Sequence, residues 1–213
     1  MMVLYPIFLK LQERKVLIIG GGAVAEEKIH AVLRSATDVT VLAPKITERI
    51  REWAERGLLR HVAEEYRAGI LRNYFLVIAC TDVEAVNHAI YEEARQAGVL
   101  CNSVDDPDYC DFYSPAVVSR GDLQIAISTG GKSPALAQRI RKKLEQDFGP
   151  EYESWVAWLG RVRTTILKAL PRSESRKQLL HLLAHTSPIQ FKFTAVGHGT
   201  NVPPRKHENC ASG

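Results

Sequence analysis

The chain has 213 residues, of which 46% are hydrophobic and 24% are charged. This length allows one large domain or one domain with a smaller partner, and the composition is typical of a soluble globular protein. The formal net charge of +4 is too weak and too dispersed to indicate nucleic-acid binding. No run of about 18 apolar residues exists that could span a membrane.

In the first half of the chain, short apolar strands alternate with amphipathic helices. We predict strands at 15–19, 38–42, 59–64, 74–80 and 99–102, and helices at 23–33, 46–57 and 83–98. The strand at 74–80 is so apolar that both of its faces must be covered. Alternation of this kind indicates βαβ units, so we predict an α/β fold of Rossmann type with a doubly wound parallel sheet.

The pattern changes after residue 111. We predict two strands at 112–119 and 122–128, followed by helices at 135–147, 152–170 and 173–185. The last part of the chain is polar, rich in Gly and Pro and without periodicity, which predicts a flexible tail. We therefore divide the chain into a Rossmann domain at 1–111, a β-containing region at 112–147, a helical domain at 148–186 and the tail at 187–213.

The cysteines do not indicate a disulfide framework, because they are few and form no C-x-x-C pair. The segment 1–10 also lacks the basic leader of a signal peptide, and we expect a cytoplasmic protein. His181 and His185 have the i, i+4 spacing of zinc ligands on a helix, but no third ligand stands at a telling distance. We therefore predict no metal. The four cysteines are Cys80, Cys101, Cys110 and Cys210.

The sequence Gly20-x-Gly22-x-x-Ala25 lies between the first strand and the first helix. In a dinucleotide site the first glycine permits a tight turn, the second lets the backbone approach the pyrophosphate, and the small third residue lets the helix pack on the strand. The helix N-terminus then directs its N–H groups at the phosphates. With a second strand about 20 residues further on, this context predicts a nicotinamide dinucleotide site.

One part of that fingerprint is missing. The second strand should end in Asp or Glu to bind the ribose hydroxyls, but it runs instead into Ala43, Pro44 and Lys45. No arginine is present there to favour a 2′-phosphate, and Lys45 would favour it only weakly. Charge therefore leaves the choice between NAD and NADP open.

Two aspartates follow strands at the edge where ligands bind in open parallel sheets. For Asp82 we expect mainly an N-cap of the helix that begins at Val83, because Asp is a favoured cap. Asp105, beside Asp106, is not followed directly by a predicted helix. It could be a general base at the nicotinamide or a turn residue near Pro107, and spacing alone leaves both possibilities open.

The segment 129–133 superficially resembles a phosphate loop, but it lacks the first glycine of G-x-x-x-x-G-K-[ST]. We therefore reject nucleotide hydrolysis. Its small residues and backbone N–H groups could bind carboxylates as a nest. The basic helix that follows is most often a solvated face.

Taken together, several segments resemble the precorrin-2 dehydrogenases, the N-terminal module of siroheme synthases, including bifunctional dehydrogenase/ferrochelatases. The resemblance covers about residues 3–165. Taken together, the matching segments are far more specific for this family than the glycine turn alone. Members of this family often lack the acid at the second strand and still use NAD. The matching segments are 5–11, 20–25 with Lys28, 79–82 with Val86 and Asn87, 101–107 and 128–137.

The resemblance implies an NAD-dependent oxidation of precorrin-2 to sirohydrochlorin, with ferrous iron as a further substrate if the chain is also a ferrochelatase. It implies Asp105 as the catalytic residue and a homodimer formed through the region 112–147. The implied substrate carries many carboxylates, so the resemblance gives the basic residues near Lys132 a role in binding it. The alternatives are a dinucleotide-sensing module without catalysis and an unrelated NAD-dependent dehydrogenase.

The predicted binding residues fall into two groups. For the cofactor they are Gly20, Gly21, Gly22, Ala23, Val24, Ala43, Pro44, Thr81, Asp82 and Asn102. For the substrate they are Ser128, Gly130, Gly131, Lys132 and Ser133.

Overall fold

The computed structural model describes residues 4–186 and residue 188. The chain divides into two compact units, Met1–Ser114 with Gly130–Lys132 and Pro115–Thr129 with Ser133–Gly213. Apart from Pro188, the tail predicted at 187–213 lies outside the described residues. Within the described part of the chain, no helix is both long enough and apolar enough to cross a membrane.

The first unit contains a five-stranded parallel sheet with the strand order β3-β2-β1-β4-β5. Neighbouring strands pair in register, so that Val16 lies beside Val39 on one side and Leu76 on the other. The strand order reverses between β1 and β4, which creates the crevice where open α/β sheets bind ligands. The strands are β1 (Lys15–Ile19), β2 (Asp38–Leu42), β3 (Arg60–Val62), β4 (Leu76–Ala79) and β5 (Leu100–Ser103).

Successive side chains of each strand point to opposite faces of the sheet. Both faces are apolar, and helices cover both of them. Val16 and Ile18 of β1 belong to one apolar core, which includes Ile29. Leu17 and Ile19 belong to a second core. This two-sided core confirms the predicted doubly wound fold. The helices are α1 (Ala23–Val32), α2 (Glu48–Glu55) and α3 (Glu84–Ala97).

The second unit begins with an antiparallel hairpin of β6 (Ala116–Arg120) and β7 (Leu123–Ile127). Gly121 turns the chain between them with a φ of 57°, a left-handed conformation that glycine adopts without steric cost. Three helices follow, α4 (Pro134–Asp147), α5 (Glu151–Ala169) and α6 (Glu174–Ala184).

The strand predicted from residue 112 begins only at Ala116. Phe112 is instead fixed by the first unit, where its side chain packs against the apolar core and its carbonyl accepts a hydrogen bond from Asn102 at 2.8 Å. The hydrophobic character of Phe112 predicts a strand residue, but its packing partners belong to the core of the parallel sheet.

Candidate functional site

A cavity of about 810 Å³ lies at the carboxyl edge of the parallel sheet. It brings together seven of the predicted cofactor residues, which are Gly20, Gly21, Gly22, Ala43, Pro44, Thr81 and Asp82. It does not include Ala23, Val24 or Asn102. Its other lining residues are Ile19, Leu42, Lys45, Ile46, Thr47, Glu64, Glu65, Tyr66, Cys80, Val83 and Val86.

The glycine turn is closely packed at its first two positions. Gly20 has a φ of +128°, and a Cβ atom there would lie 2.4 Å from the carbonyl oxygen of Cys80. At Gly21 a Cβ atom would lie 2.0 Å from the carbonyl oxygen of Lys45, and the Gly21 carbonyl accepts a hydrogen bond from the N–H of Thr47 at 3.0 Å. These two glycines are therefore required by the protein's own backbone.

Gly22 differs, since a Cβ atom there would meet nothing within 4 Å. It is the N-cap of α1, and no side chain caps that helix end. The first N–H groups of a helix have no intrahelical partner, and their dipoles favour an anion. The open space above Gly22 and the uncapped helix end fit the pyrophosphate of a dinucleotide. Ala23 and Val24, the first residues of α1, belong to this helix end although they do not line the cavity.

The expected N-cap at Asp82 is wrong. The N-cap of α3 is Val83, which has no side-chain cap, and Thr81 and Asn87 fasten the helix start instead. The Oδ1 atom of Asn87 accepts hydrogen bonds from the Thr81 amide and hydroxyl at 3.1 and 2.8 Å, while its Nδ2 atom donates to the Thr81 carbonyl. The exposed Asp82 does not cap α3 and is one of the residues that line the cavity.

Asp105 lies in the turn that follows β5, at the same edge of the sheet as the cavity. Its φ is +66°, in the left-handed region, which Asp tolerates better than most residues but at a cost compared with Gly. The residue is exposed, and within the described part of the chain no hydrogen bond or ion pair engages its carboxylate. The turn therefore presents this carboxylate to solvent.

The side chain of Asn102, a residue of β5, anchors the loop that follows this strand. Its buried amide donates to the Phe112 carbonyl at 2.8 Å and to the Cys110 sulfur at 3.2 Å. The N–H of Asp106 donates to the Ser103 carbonyl at 3.2 Å and closes the turn around Asp105. Through these bonds the Asn102 amide positions the segment that carries Asp105, and the role of Asn102 in cofactor binding stays a prediction.

The side chains around Asp106 form a group that the sequence pattern did not reveal. The Nε2 atom of His88 lies 2.7 Å from Oδ2 of Asp106 and 3.7 Å from Oε1 of Glu84. The imidazole stacks on Tyr109, with ring centroids 3.7 Å apart. One nitrogen and two carboxylate ligand atoms thus lie within 4.8 Å of one another. The i, i+4 spacing of Glu84 and His88 was visible in the sequence, but the approach of Asp106 depends on the loop after β5.

The thiols near the site are poor nucleophiles. Burial raises the pKa of the Cys80 thiol to about 12, with the charge of Lys28 acting in the opposite direction. Burial likewise raises the pKa of Cys101 to about 12, and the carboxylate of Asp111 adds to the shift. A raised pKa disfavours the thiolate form, so these two cysteines lack the environment of a reactive thiol.

The predicted substrate residues belong to a loop that leads into α4. Gly130 and Gly131 have φ values of 61° and 79°, which side chains rarely adopt. The Ser133 amide donates to Oγ1 of Thr129 at 3.1 Å, and the Ser133 hydroxyl caps α4 by accepting from the Leu136 amide. Ser128 and Lys132 are exposed.

Two family models match the chain. Residues 7–116 match a family described as putative NAD(P)-binding, and residues 120–147 match the sirohaem biosynthesis protein central domain. The first match covers the glycine turn, the cavity and Asp105, and it confirms the predicted dinucleotide cofactor.

The chain is also similar to individual proteins. It is 40% identical over 183 residues to siroheme synthase 2 of Yersinia enterocolitica, covering 85% of this chain and 39% of that protein. It is 36% identical to the siroheme synthase of Photobacterium profundum, covering 81% of this chain and 37% of that protein. The chain thus spans less than two fifths of the length of these relatives.

The solved structure of SirC, precorrin-2 dehydrogenase, superposes on this chain with a TM-score of 0.70 and 31% sequence identity. The match covers 91% of this chain and 94% of that one, so it includes both compact units. The chain belongs to the family of precorrin-2 dehydrogenases and siroheme synthase N-terminal modules.

Proposed function

We propose that the chain catalyses the NAD-dependent oxidation of precorrin-2 to sirohydrochlorin, a step in siroheme synthesis. The observation that carries the proposal is the common location of two features at the carboxyl edge of one sheet, the dinucleotide cavity and the exposed carboxylate of Asp105. The name of the solved relative, precorrin-2 dehydrogenase, supports this choice of substrate.

The reaction removes one hydride and one proton from the macrocycle. Bound NAD supplies the hydride acceptor. Asp105 takes the proton, because a carboxylate in a turn that leaves it exposed can act as a general base. Thr81 and Asp82 form the adjoining rim of the cavity, and Gly22 leaves room for the pyrophosphate.

The loop 128–133 and α4 are proposed to attract the acidic substrate. Lys132 is exposed, as are Arg139, Lys142 and Lys143 on α4. Arg141 is engaged by Glu145 and Gln138. The positive φ values in the loop orient successive N–H groups as a nest can, which suits a carboxylate.

The test is an anaerobic assay with enzymatically made precorrin-2 and NAD, which follows NADH and sirohydrochlorin spectra. We expect both products in equal amounts, and we expect neither with Asp105→Asn. The matched control is Asp108→Asn, which removes an exposed carboxylate from the same loop and should leave turnover unchanged. Tight NAD binding without NADH formation would favour the dinucleotide-sensing module.

We propose ferrous-iron chelation as a second activity, with iron as substrate. The supporting observation is the group formed by Glu84, His88 and Asp106, whose nitrogen and oxygen atoms are of a kind that ferrous iron accepts. The group adjoins Asp105, which directly precedes Asp106 in the chain.

Chelation is tested by adding ferrous iron anaerobically to sirohydrochlorin with wild type, His88→Ala and the control His181→Ala on α6. We expect siroheme formation to slow about tenfold or more in His88→Ala only, because one strong ligand is lost. An unchanged rate in His88→Ala would contradict a role for this group.

We further propose a homodimer formed through the region 112–147. Val117 on β6 and Leu136 and Ile140 on α4 are exposed hydrophobic residues, and the last two share one helix face. A second copy of the chain would cover these exposed apolar side chains. Light scattering on a size-exclusion column would give twice the chain mass, and a monomer at micromolar concentration would contradict the proposal.

We also place the protein in the cytoplasm. Cys80, Cys101 and Cys110 are free thiols, as expected in a reducing compartment. Fractionation of cells with an antibody to the chain tests this location.

A further inference from the structure

We propose that Glu64 and Glu65 make the dinucleotide site selective for NAD over NADP, in place of the acid that β2 lacks. This inference rests on the proposed use of a nicotinamide dinucleotide and adds the residues that select it. Both glutamates line the same cavity as the glycine turn, although they follow β3 and lie about 40 residues beyond the turn in sequence.

The end of β3 lies directly beside the end of β2. The Ala43 amide donates to the Val62 carbonyl at 3.1 Å, and the Nε2 atom of His61 lies 2.9 Å from the Ala43 carbonyl oxygen. Glu64 follows Val62 by two residues, so its Cα atom lies within about 7.6 Å of that of Val62. The chain thus brings carboxylates to the position where the ribose of a dinucleotide meets the second strand.

The loop that carries these glutamates is fastened to α3. The carboxylate of Glu93 accepts hydrogen bonds from the Tyr66 hydroxyl, from the Gly69 amide at 2.9 Å and from the Leu71 amide at 2.8 Å. Tyr66 is the next residue after Glu65 and lines the cavity as well. Glu64 and Glu65 therefore stand on a segment that is held at both ends.

Glu64 and Glu65 add two carboxylates to the lining of the dinucleotide cavity, and they also line a neighbouring cavity together with Arg60 and Arg67. Glu64 and Glu65 are exposed, and among the described residues neither forms an ion pair. A 2′-phosphate carries about −1.5 to −2 charges at pH 7, as phosphate monoesters do, and two carboxylates would repel it. The same carboxylates can accept hydrogen bonds from the two ribose hydroxyls of NAD.

Lys45 is the single cation among the described residues that line the cavity. Its carbonyl oxygen lies 2.0 Å from the position that a Cβ atom of Gly21 would take. The backbone of Lys45 is therefore packed beside the glycine turn, where the pyrophosphate common to both dinucleotides is expected. We expect Lys45 to contribute to the binding of both dinucleotides, whereas the glutamates discriminate between them.

The experiment measures NADH and NADPH affinity of the full chain by calorimetry. Wild type is compared with Glu64→Gln/Glu65→Gln, with Lys45→Gln, and with the control Glu55→Gln, an exposed residue at the end of α2. We expect wild type and the control to bind NADH at least about tenfold more tightly than NADPH. The double variant should bind NADPH about tenfold better and keep NADH affinity within about threefold, because glutamine still accepts a hydrogen bond.

Lys45→Gln should weaken both dinucleotides by the same factor. Equal wild-type affinities, an unchanged ratio in the double variant, or a loss of NADPH binding alone in Lys45→Gln would overturn the assignment. The outcome is separable from that of the proposed reaction. Selectivity that depends on the glutamates in a chain that does not oxidise precorrin-2 would uphold this inference and refute the reaction, whereas no binding of either dinucleotide would refute both.

Discussion

The carboxylate of Glu93, in the middle of α3, accepts a hydrogen bond from the hydroxyl of Tyr66 in the loop after β3. Burial acts to raise the pKa of Glu93, but the hydrogen bonds from Tyr66, Leu71 and Gly69 outweigh it, and the pKa is lowered. A carboxylate with a lowered folded-state pKa stabilises the fold above its unfolded pKa of about 4.3. That contribution is lost as the pH falls through the folded-state pKa.

We therefore expect Glu93→Gln to lower the free energy of unfolding at pH 7 by about 1–3 kcal/mol, the range for hydrogen bonds to charged groups. The difference from wild type should shrink below about pH 4, where the wild-type carboxyl is protonated as well. Urea titrations at several pH values measure both effects, with the exposed neighbour Glu92→Gln as control. A difference that is constant with pH would contradict the ionised role of Glu93.

The first glycine of the turn should be intolerant of any side chain. Gly20→Ala places a Cβ atom 2.4 Å from the Cys80 carbonyl oxygen at a φ of +128°, and we expect a loss of more than about 3 kcal/mol. Gly22→Ala is the matched variant, because nothing lies within 4 Å of its Cβ position, and its effect should stay within about 1 kcal/mol. Equal stabilities of the two variants, measured by thermal unfolding, would refute the packing argument.

The third glycine should matter for binding instead of stability. Asp is a better N-cap than Gly by a few tenths of a kcal/mol, so Gly22→Asp should fold as well as wild type. Its carboxylate would meet the pyrophosphate with like charge, and we expect NADH affinity to fall more than about tenfold. Calorimetry tests this expectation, and an unchanged affinity would remove Gly22 from the cofactor site.

Asp105 should contribute to turnover and little to stability. Asp105→Gly removes the steric cost of the left-handed conformation but increases the conformational entropy of the unfolded chain. The two effects oppose each other, so the free energy of unfolding should change by less than about 1 kcal/mol. Turnover should fall by about 10²–10⁴-fold, as on removal of a general base. If the aspartate were only a turn residue, Asp105→Gly would retain normal turnover of precorrin-2.

The hydroxyl of Ser133 accepts a hydrogen bond from the Leu136 amide and so caps the N-terminus of α4. Ser133→Ala should destabilise the second unit by about 1 kcal/mol, the usual cost of losing an N-cap, while Ser133→Thr should largely retain it. Chemical unfolding followed by tryptophan fluorescence in a Trp53→Phe background reports on this unit through Trp155 and Trp158 of α5. Equal stability of the alanine and threonine variants would show that the cap contributes nothing.

The sequence predicted the sheet well, because its strands are short apolar runs that must be covered on both faces. Helix periodicity and the glycine turn then located the nucleotide edge. The end of the third strand was less predictable: 59–64 was expected, but β3 ends at Val62. The pairing of β3 with β2 sets that end, and such pairing is not encoded within the segment itself.

The parts of the site that depend on contacts between distant segments could not be predicted. Asp82 has the residue type of an N-cap, yet the N-cap of α3 is Val83, without a side-chain cap, and Asn87 reaches back to bond Thr81. The approach of Asp106 to His88 and the presence of Glu64 in the same cavity as the glycine turn likewise join segments that are far apart in the chain. Local propensity describes none of these contacts, because each depends on how loops cross the same edge of the sheet.

The packing of Gly21 under Lys45 has a thermodynamic consequence. Because the protein's own backbone contacts join the turn to the segment from β2 to α2, we expect dinucleotide binding to order little further backbone. The heat-capacity change of binding should then reflect only the apolar surface that the nucleotide covers, without the larger signature of a loop that folds around its ligand.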